Sequence, residues 1–289
     1  MDLSFKYMRK FFYSTLAISS VMFTSCLPDS LPVDDIPQLK PKIVVSSQIL
    51  PDQSVVIFLT KSVGALDASD SSDPEELLQQ IAINDAVVII YNDELSDTLT
   101  FIGNGLYSGN SIDFQEEETY WLKVESPSMG SVSSSTEVKT QVLFESVEGR
   151  IYDNGYDTLA DIEYSFVDPP GKNYYMVNVQ RYYSELEVED LLNPRIFTHL
   201  ETDTGFDGQL RYNEILVFGG RDFFPGDTVG VFLSNISQPY YDFIEVRLDS
   251  RFNFADFLGE PANYPTNING GLGFFNLHIP DVRILVLEE

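Results

Sequence analysis

Apolar and polar residues alternate along much of the chain, which is the pattern of β-strands with one buried face. In the stretch TYWLKVE, Tyr120, Leu122 and Val124 fall on one side and polar or amphipathic residues on the other. A similar alternation recurs at residues 172–183 and 224–236. Each of these regions lies beside a Pro-Gly or Ser-rich stretch that is typical of turns. The pattern favours packed β-sandwiches over a doubly wound sheet.

Further strands are predicted from short β-branched and apolar runs. They lie at residues 42–50, 54–62, 86–92, 162–171 and 267–279, in the short runs DTLTFI and GLYSG, and at VRILVL near the C-terminus. The Ser/Gly-rich residues 126–138 predict a turn into a last strand of the first half. We therefore expect a domain boundary near residues 139–145.

Two segments have a helical pattern instead. DPEELLQQI has Asp73 at the predicted N-cap and Pro74 at the first helical position. In SQPYYDFIEVRLDSRF, Tyr240, Ile244 and Leu248 recur at helical spacing.

The predicted fold is mainly β, with two β-sandwich domains (Ig-like or prealbumin-like) in tandem and one or two short helices. The N-terminal sandwich is expected at residues 42–140. The C-terminal sandwich is expected at residues 141–289, with an inserted helix near residues 238–251.

The N-terminus has the organisation of a secretory signal peptide. A basic cluster of Lys6, Arg9 and Lys10 precedes an apolar run at residues 11–23, and small residues follow. The run is shorter than the roughly 20 apolar residues that span a bilayer. Residues 1–25 are therefore predicted to be a signal that is removed.

The ending FTSC contains Cys26, the only cysteine of the chain. It resembles the lipobox of bacterial lipoproteins, in which the cysteine becomes the first mature residue and carries the lipid. The resemblance implies cleavage between Ser25 and Cys26, and several acyl chains on one residue give stable anchoring. The alternative is an ordinary secretion signal with an incidental thiol, which would leave an unpaired cysteine in an exported protein.

Residues 26–41 are rich in proline and aspartate and predict a semi-rigid tether. Asp29, Asp34 and Asp35 resemble the acidic signal that sends Bacteroidota lipoproteins to the outer face of the outer membrane. The resemblance implies an outer-membrane, lipid-anchored protein that faces the cell exterior. A periplasm-facing position is the alternative.

The formal net charge of the chain is −28. Removal of residues 1–25 takes away three basic residues and Asp2, a net +2, and leaves a mature chain of −30. Such a chain is repelled by phosphate backbones, which argues against nucleic-acid binding. It is also repelled by anionic lipid, so the membrane contact is expected to depend on lipidated Cys26.

Candidate catalytic chemistry is sparse. His199 and His278 are the only imidazoles; His278 lies in the predicted strand FNLHI and is interpreted as structural, while His199 lies near a predicted loop. No nucleophile elbow, zinc motif, P-loop or dinucleotide fingerprint occurs. We predict a protein that is not an enzyme, with no cofactor, metal site or catalytic residue.

Acidic stretches leave alternatives open. The oxygen-rich residues 67–76 and 152–158 could hold calcium, although neither has EF-hand spacing. Asp-Ser/Thr-apolar triplets beginning at residues 29, 97, 157 and 227 resemble the O-glycosylation acceptor of exported Bacteroidota proteins. Both features also fit ordinary turns.

Spaced motifs across the mature chain resemble one family. They are KPKIVVSSQIL, INDAVVIIYND, YWLKVES, DPPGKNYYMVNV, PGDTVGVFLSNISQPYYDF and TNINGGLGFF. The chain is similar to Bacteroidota outer-membrane lipoproteins of unknown function that are encoded beside TonB-dependent receptors, and its N-terminal half looks like the carboxypeptidase regulatory sandwich. Gly270, Gly271 and Gly273 are interpreted as serving backbone geometry.

Three functions follow from these observations. The first is an accessory surface lipoprotein that works with a TonB-dependent transporter, as the resemblance implies. The second is a free-standing glycan- or peptide-binding or adhesive module, since sandwich loops and aromatic residues suit binding. The third is a hydrolase that uses paired carboxylates, because acidic residues are abundant.

Overall fold

A computed structural model describes residues 40–50, 54–62, 74–182, 196–218, 222–250 and 264–288. These residues form sixteen strands and two helices within one compact unit that begins at Lys40. The predicted N-cap Asp73, the signal peptide and most of the tether lie outside the described residues. Neither described helix has the length and apolar character needed to cross a membrane.

The elements of the first half follow the predicted strands closely. They are β1 (Ile43–Ile49), β2 (Val55–Lys61), α1 (Pro74–Ile81), β3 (Val87–Tyr91), β4 (Ser96–Thr98), β5 (Thr100–Gly103), β6 (Leu106–Gly109), β7 (Thr119–Ser126) and β8 (Gly130–Glu137). The first helix begins at Pro74, as predicted. Residues 126–138 hold a tight turn followed by β8, so most of this stretch is itself a strand.

The second half is also mainly β. Its elements are β9 (Phe144–Asp153), β10 (Thr158–Val167), β11 (Tyr174–Arg181), β12 (Phe197–Thr202), β13 (Leu210–Val217), β14 (Thr228–Asn235), α2 (Gln238–Ser250), β15 (Leu272–Phe274) and β16 (Asp281–Val286). The helix predicted near residues 238–251 is confirmed.

Two sheets enclose the core of the first half. One has the order β15-β1-β2-β6-β5 and the other the order β4-β3-β7-β8. The predicted alternation of β7 is confirmed, because Tyr120, Leu122 and Val124 are all fully buried. They pack against Ile57 and Leu59 of the opposite sheet in one apolar cluster.

The second half has its own pair of sheets, ordered β13-β10-β9 and β12-β11-β14-β16. Tyr175, Val177 and Val179 of β11 are buried, as their spacing predicted. They join Ile162 and Phe166 of β10 in a second apolar cluster. The prediction of a mainly β fold with two sandwiches in tandem is therefore confirmed.

Helix α2 packs beside the second sandwich through a third apolar cluster. Tyr240 and Ile244 are buried, and Leu248 packs against them, as the helical spacing predicted. Tyr174 of β11 and Phe274 of β15 complete this cluster from the two sheets.

One segment crosses from the second half back to the first. Strand β15 pairs in parallel with β1, with Val45 opposite Gly273. Phe275 and Leu277, which follow β15, are buried in the first apolar cluster. All of residues 141–289 were predicted to belong to the second sandwich, but this return segment completes the first core.

The sequence pattern did not predict β9, β12 and β13, and the strand predicted at His278 was wrong. His278 follows β15 in irregular chain and makes no ladder contact. The edge strands β12 and β13 carry mixed polar and apolar residues, so their alternation is weak. Their polar side chains pair with one another across the sandwich, as described below.

Candidate functional site

A groove of about 630 Å³ lies where the two halves meet. Its walls come from the end of β8, the turn between β10 and β11, the start of α2 and the return segment before β15. Its volume is within the range of roughly 300–1,000 Å³ that is usual for ligand pockets. The groove is therefore large enough to hold a ligand or a short polypeptide segment.

The floor of the groove is apolar and its sides contain prolines. Tyr174, Ile236 and Phe274 are buried beneath it, and Pro169 and Pro170 form one side. The Tyr174 hydroxyl is buried, and the ammonium group of Lys172 interacts with it from the rim.

Asparagine side chains fix the groove walls to one another. Asn235 Nδ2 donates to the carbonyl oxygen of Thr140 at 3.2 Å, across the boundary between the halves. Asn267 Nδ2 donates to the carbonyl oxygens of Ser135 at 3.3 Å and Phe275 at 2.7 Å. Because the bonds to Thr140 and Ser135 join segments that are far apart in sequence, they hold the groove in a defined shape.

Strand β8 presents an open edge to the groove. It is the last strand of its sheet and pairs only with β7 on one side. On its other side, the N–H and C=O of Ser133 bond to Asn269. Backbone groups of a paired strand point to alternate sides, so Ser135 and Glu137 also direct theirs outward. The Ser135 carbonyl accepts from Asn267, whereas no described residue pairs with the N–H or C=O of Glu137.

The charges around the groove differ from those of the chain as a whole. Lys139 Nζ pairs with Glu137 Oε1 at 3.0 Å, and Thr140 Oγ1 donates to Glu117 Oε1 at 2.8 Å. Lys172 is exposed at the rim, with its Nζ 5.0 Å from the centre of the Tyr174 ring. It forms no ion pair with a described carboxylate. Tyr174, Asp203 and Asp242 interact with this ammonium group and raise its pKa, so the rim carries a positive charge that nearby acids partly balance.

His278 is used in packing. It is buried, its ring lies 6.4 Å from that of Tyr240, and its Nδ1 accepts a hydrogen bond from Asn276 Nδ2 at 3.1 Å. Burial lowers its pKa to about 4. The imidazole is therefore neutral at pH 7, in keeping with the structural interpretation of this residue.

His199 lies on β12 among polar side chains of β13. Its Nε2 is 3.2 Å from Asn213 Nδ2, which also donates to the Tyr164 hydroxyl at 3.0 Å. Arg211 and Glu201 form an adjacent ion pair. Burial lowers the pKa of His199, and Glu201 partly opposes that shift. This network links the two edge strands at the open side of the second sandwich.

Two acidic clusters occur among the described residues. Asp161, Glu163 and Glu214 surround the guanidinium of Arg150. Its positive charge forms ion pairs with all three carboxylates. The second cluster is Asp168, Asp203 and Asp207, whose carboxylates accept hydrogen bonds from backbone amides of neighbouring turns.

Neither cluster includes a residue of the oxygen-rich stretch 152–158, which was left open as an alternative calcium site. There, Asp153 and Asn154 accept hydrogen bonds from their own turn, at Gly155 and Tyr156, which is the ordinary behaviour of such residues. Most of residues 67–76 lies outside the described residues, as do Ser25 and Cys26.

We expect replacement of His278 by glutamine to reduce the loss of stability in mild acid. Unfolded histidine takes up a proton below pH 6.5, whereas buried His278 does so only below about pH 4. The native protein should therefore lose up to about 3 kcal/mol between these pH values because of this residue. Urea unfolding of both proteins from pH 7.5 to 4 measures the difference, and parallel curves would contradict it. His199 is present in both proteins, so its contribution to the pH dependence of stability cancels in the comparison.

Comparison with known proteins places this architecture in a family. No curated protein matches the chain. A crystal structure of the selenomethionine-substituted chicken interferon gamma receptor alpha chain is similar, with 13% identity over 68% of this chain and 89% of that chain, and a TM-score of 0.20. The sequence model of a domain of unknown function, DUF4249, matches residues 32–278. Because that match covers most of the chain, the chain belongs to the DUF4249 family.

Proposed function

We propose that this protein is a lipid-anchored, surface-exposed outer-membrane protein of non-catalytic type that acts as a partner of a TonB-dependent transporter. The observation that carries the proposal is the position of Cys26 after an apolar run and 14 residues before Lys40, where the compact unit begins. A chain of that length spans at most about 50 Å when fully extended. It would keep the folded unit close to the membrane that holds the transporter.

The surroundings of the two histidines support a non-catalytic role. His278 is buried with a depressed pKa, and His199 contacts an amide rather than a hydroxyl nucleophile. Catalysis by a nucleophile requires a base within hydrogen-bond reach of it. The groove between the halves offers binding groups instead, namely a strand edge, a lysine and an apolar floor.

A second candidate function is a free-standing glycan- or peptide-binding module. Tyr91 and Trp121 stack on the outer face of the first sandwich, with ring centres 5.8 Å apart and an interplanar angle of 24°. Lys123 follows Trp121 by two residues on β7. It therefore lies on the same face, opposite Ile89 of β3. Such an aromatic surface suits stacking against sugar rings or apolar side chains.

Co-purification from the native outer membrane tests the proposal. Tagged wild-type protein should bring down a TonB-dependent receptor in near-stoichiometric amount in mild detergent, as identified by mass spectrometry. Cys26→Ala should lack the lipid, leave the membrane fraction and lose the receptor. Wild-type protein that purifies alone would overturn the transporter partnership and favour the binding module, which glycan and peptide arrays would then test.

A further inference from the structure

We propose that the groove between the halves is the docking site for an extended segment of the partner transporter, which adds as a strand to the open edge of β8. The inference rests on the proposed partnership and assigns the surface that performs it. The occupant is a polypeptide in extended conformation that carries an acidic side chain opposite Lys172.

The backbone of β8 supplies the first reason. The N–H and C=O of Glu137 point into the groove without a described partner. Four residues earlier on the same edge, Ser133 forms an isolated antiparallel β-bridge with Asn269 of the return segment. The protein therefore uses this edge for strand pairing up to the point where the groove begins. Addition of a strand from a partner would continue that pairing.

The shape of the groove supplies the second reason. Alternate side chains of an added strand would point toward the apolar floor, where Phe274 and Tyr174 lie. Pro169 and Pro170 on the facing side have no backbone N–H that could compete for the carbonyl groups of the segment. A rigid groove lowers the entropy lost when the segment binds, and the bonds of Asn235 and Asn267 provide that rigidity.

The charge of the rim supplies the third reason and selects the segment. Lys172 forms no ion pair within 4 Å with a described carboxylate, although Asp203 and Asp242 are close enough to raise its pKa, and the chain as a whole is strongly acidic. An acidic side chain that approaches elsewhere is repelled by this net charge, and one that approaches Lys172 is attracted. The rim charge therefore favours a segment with an acid at one position over an uncharged segment.

Substitution at Glu137 tests the role of the backbone. Glu137→Pro removes the outward N–H, and proline is tolerated at edge positions that do not bond within the sheet. Glu137→Ala removes the same side chain and its ion pair with Lys139 but keeps the N–H. In the co-purification experiment, we expect Glu137→Ala to bring down the receptor as wild type does and Glu137→Pro to bring down at least tenfold less.

Two controls separate docking from folding. Ser131→Pro places proline at an outward-pointing position of the same strand but away from the groove, and it should leave the receptor yield unchanged. Lys172→Glu keeps the backbone intact and should lower the yield severalfold. Lys42→Glu, an exposed position just before β1 that does not line the groove, should not. Thermal unfolding of each variant confirms that it is folded.

Cross-linking then locates the segment. A photo-cross-linking residue at Gln238, on the groove rim, should capture the receptor. The same residue at Tyr156, which is 95% exposed in the β9–β10 turn, should not.

The outcomes distinguish the two proposals. If wild type brings down the receptor while the yield is unchanged in both Glu137→Pro and Lys172→Glu, the groove assignment is wrong and the partnership stands. If wild type brings down no receptor, the partnership fails and the groove assignment fails with it. A receptor yield that falls with Glu137→Pro and not with Glu137→Ala supports strand addition at β8.

Discussion

Replacement of Gly273 by alanine is expected to destabilise the protein by about 3–5 kcal/mol. Gly273 has a φ of +90°, a conformation that costs an L-residue with a side chain about 1–2 kcal/mol. An added Cβ would also overlap the backbone of Val45 in β1, including its carbonyl oxygen. The overlap is with main chain, so β15 and β1 must separate to relieve it. Urea unfolding followed by tryptophan fluorescence measures the loss.

Gly155→Ala is the matched control. Gly155 has a similar φ of +85°, but a Cβ there would meet no atom within 4 Å. It should cost only about 1–2 kcal/mol, the conformational part of the effect. Equal losses in the two variants would show that the overlap of the added Cβ with Val45 adds nothing to the free-energy cost of the substitution.

Replacement of Asp168 by alanine is expected to cost about 3–4 kcal/mol, because hydrogen bonds to a buried carboxylate are worth about 1.5–3 kcal/mol each. Asp168 is 1% exposed and accepts hydrogen bonds from the Tyr175 hydroxyl and from the Gly208 N–H, the latter at 2.7 Å. Without the carboxylate, both donors are left without this acceptor in the interior. Burial and the hydrogen bond to Asp168 raise the pKa of Tyr175, so its hydroxyl stays protonated.

Asp207→Ala is the control for charge. Asp207 belongs to the same acidic cluster but is exposed and accepts one hydrogen bond, from Gly171 N–H at 2.9 Å. It should cost no more than about 1 kcal/mol. If Asp168→Ala instead stabilised the protein, repulsion among Asp168, Asp203 and Asp207 would outweigh the hydrogen bonds. Thermal unfolding at pH 7 gives the comparison.

The parts of the fold that the sequence predicted are those with one fully apolar face. The alternation of Tyr175, Val177 and Val179 is readable because each second residue enters a core. Helix α2 is readable for the same reason, since Tyr240 and Ile244 meet one apolar cluster. In these elements, local pattern and tertiary burial agree.

The elements that were missed depend on partners distant in sequence. Arg211 and Asn213 of β13 are half-buried polar residues because Glu201 and His199 of β12 lie opposite them. Neither strand alone shows a clean period of two. A pattern confined to one segment cannot reveal that its polar residues are satisfied by another.

The groove could not be predicted from the sequence for a related reason. It is assembled from four segments, and its distinctive feature is the direction of the backbone groups of Glu137. That direction depends on the register with β7, in which Thr119 lies opposite Glu137. The glycines of the return segment were the one local signal near it, and Gly273 does serve backbone geometry, as predicted.

The return segment also sets the order in which the protein can mature. Phe275 and Leu277 fill the interior of the half that is synthesised first, yet they come close to the end of the chain. The first sandwich therefore cannot close its interior until residues 272–277 have been synthesised. The sequence order thus couples completion of the first core to synthesis of the second half, so the first half cannot finish folding by itself as the chain is made.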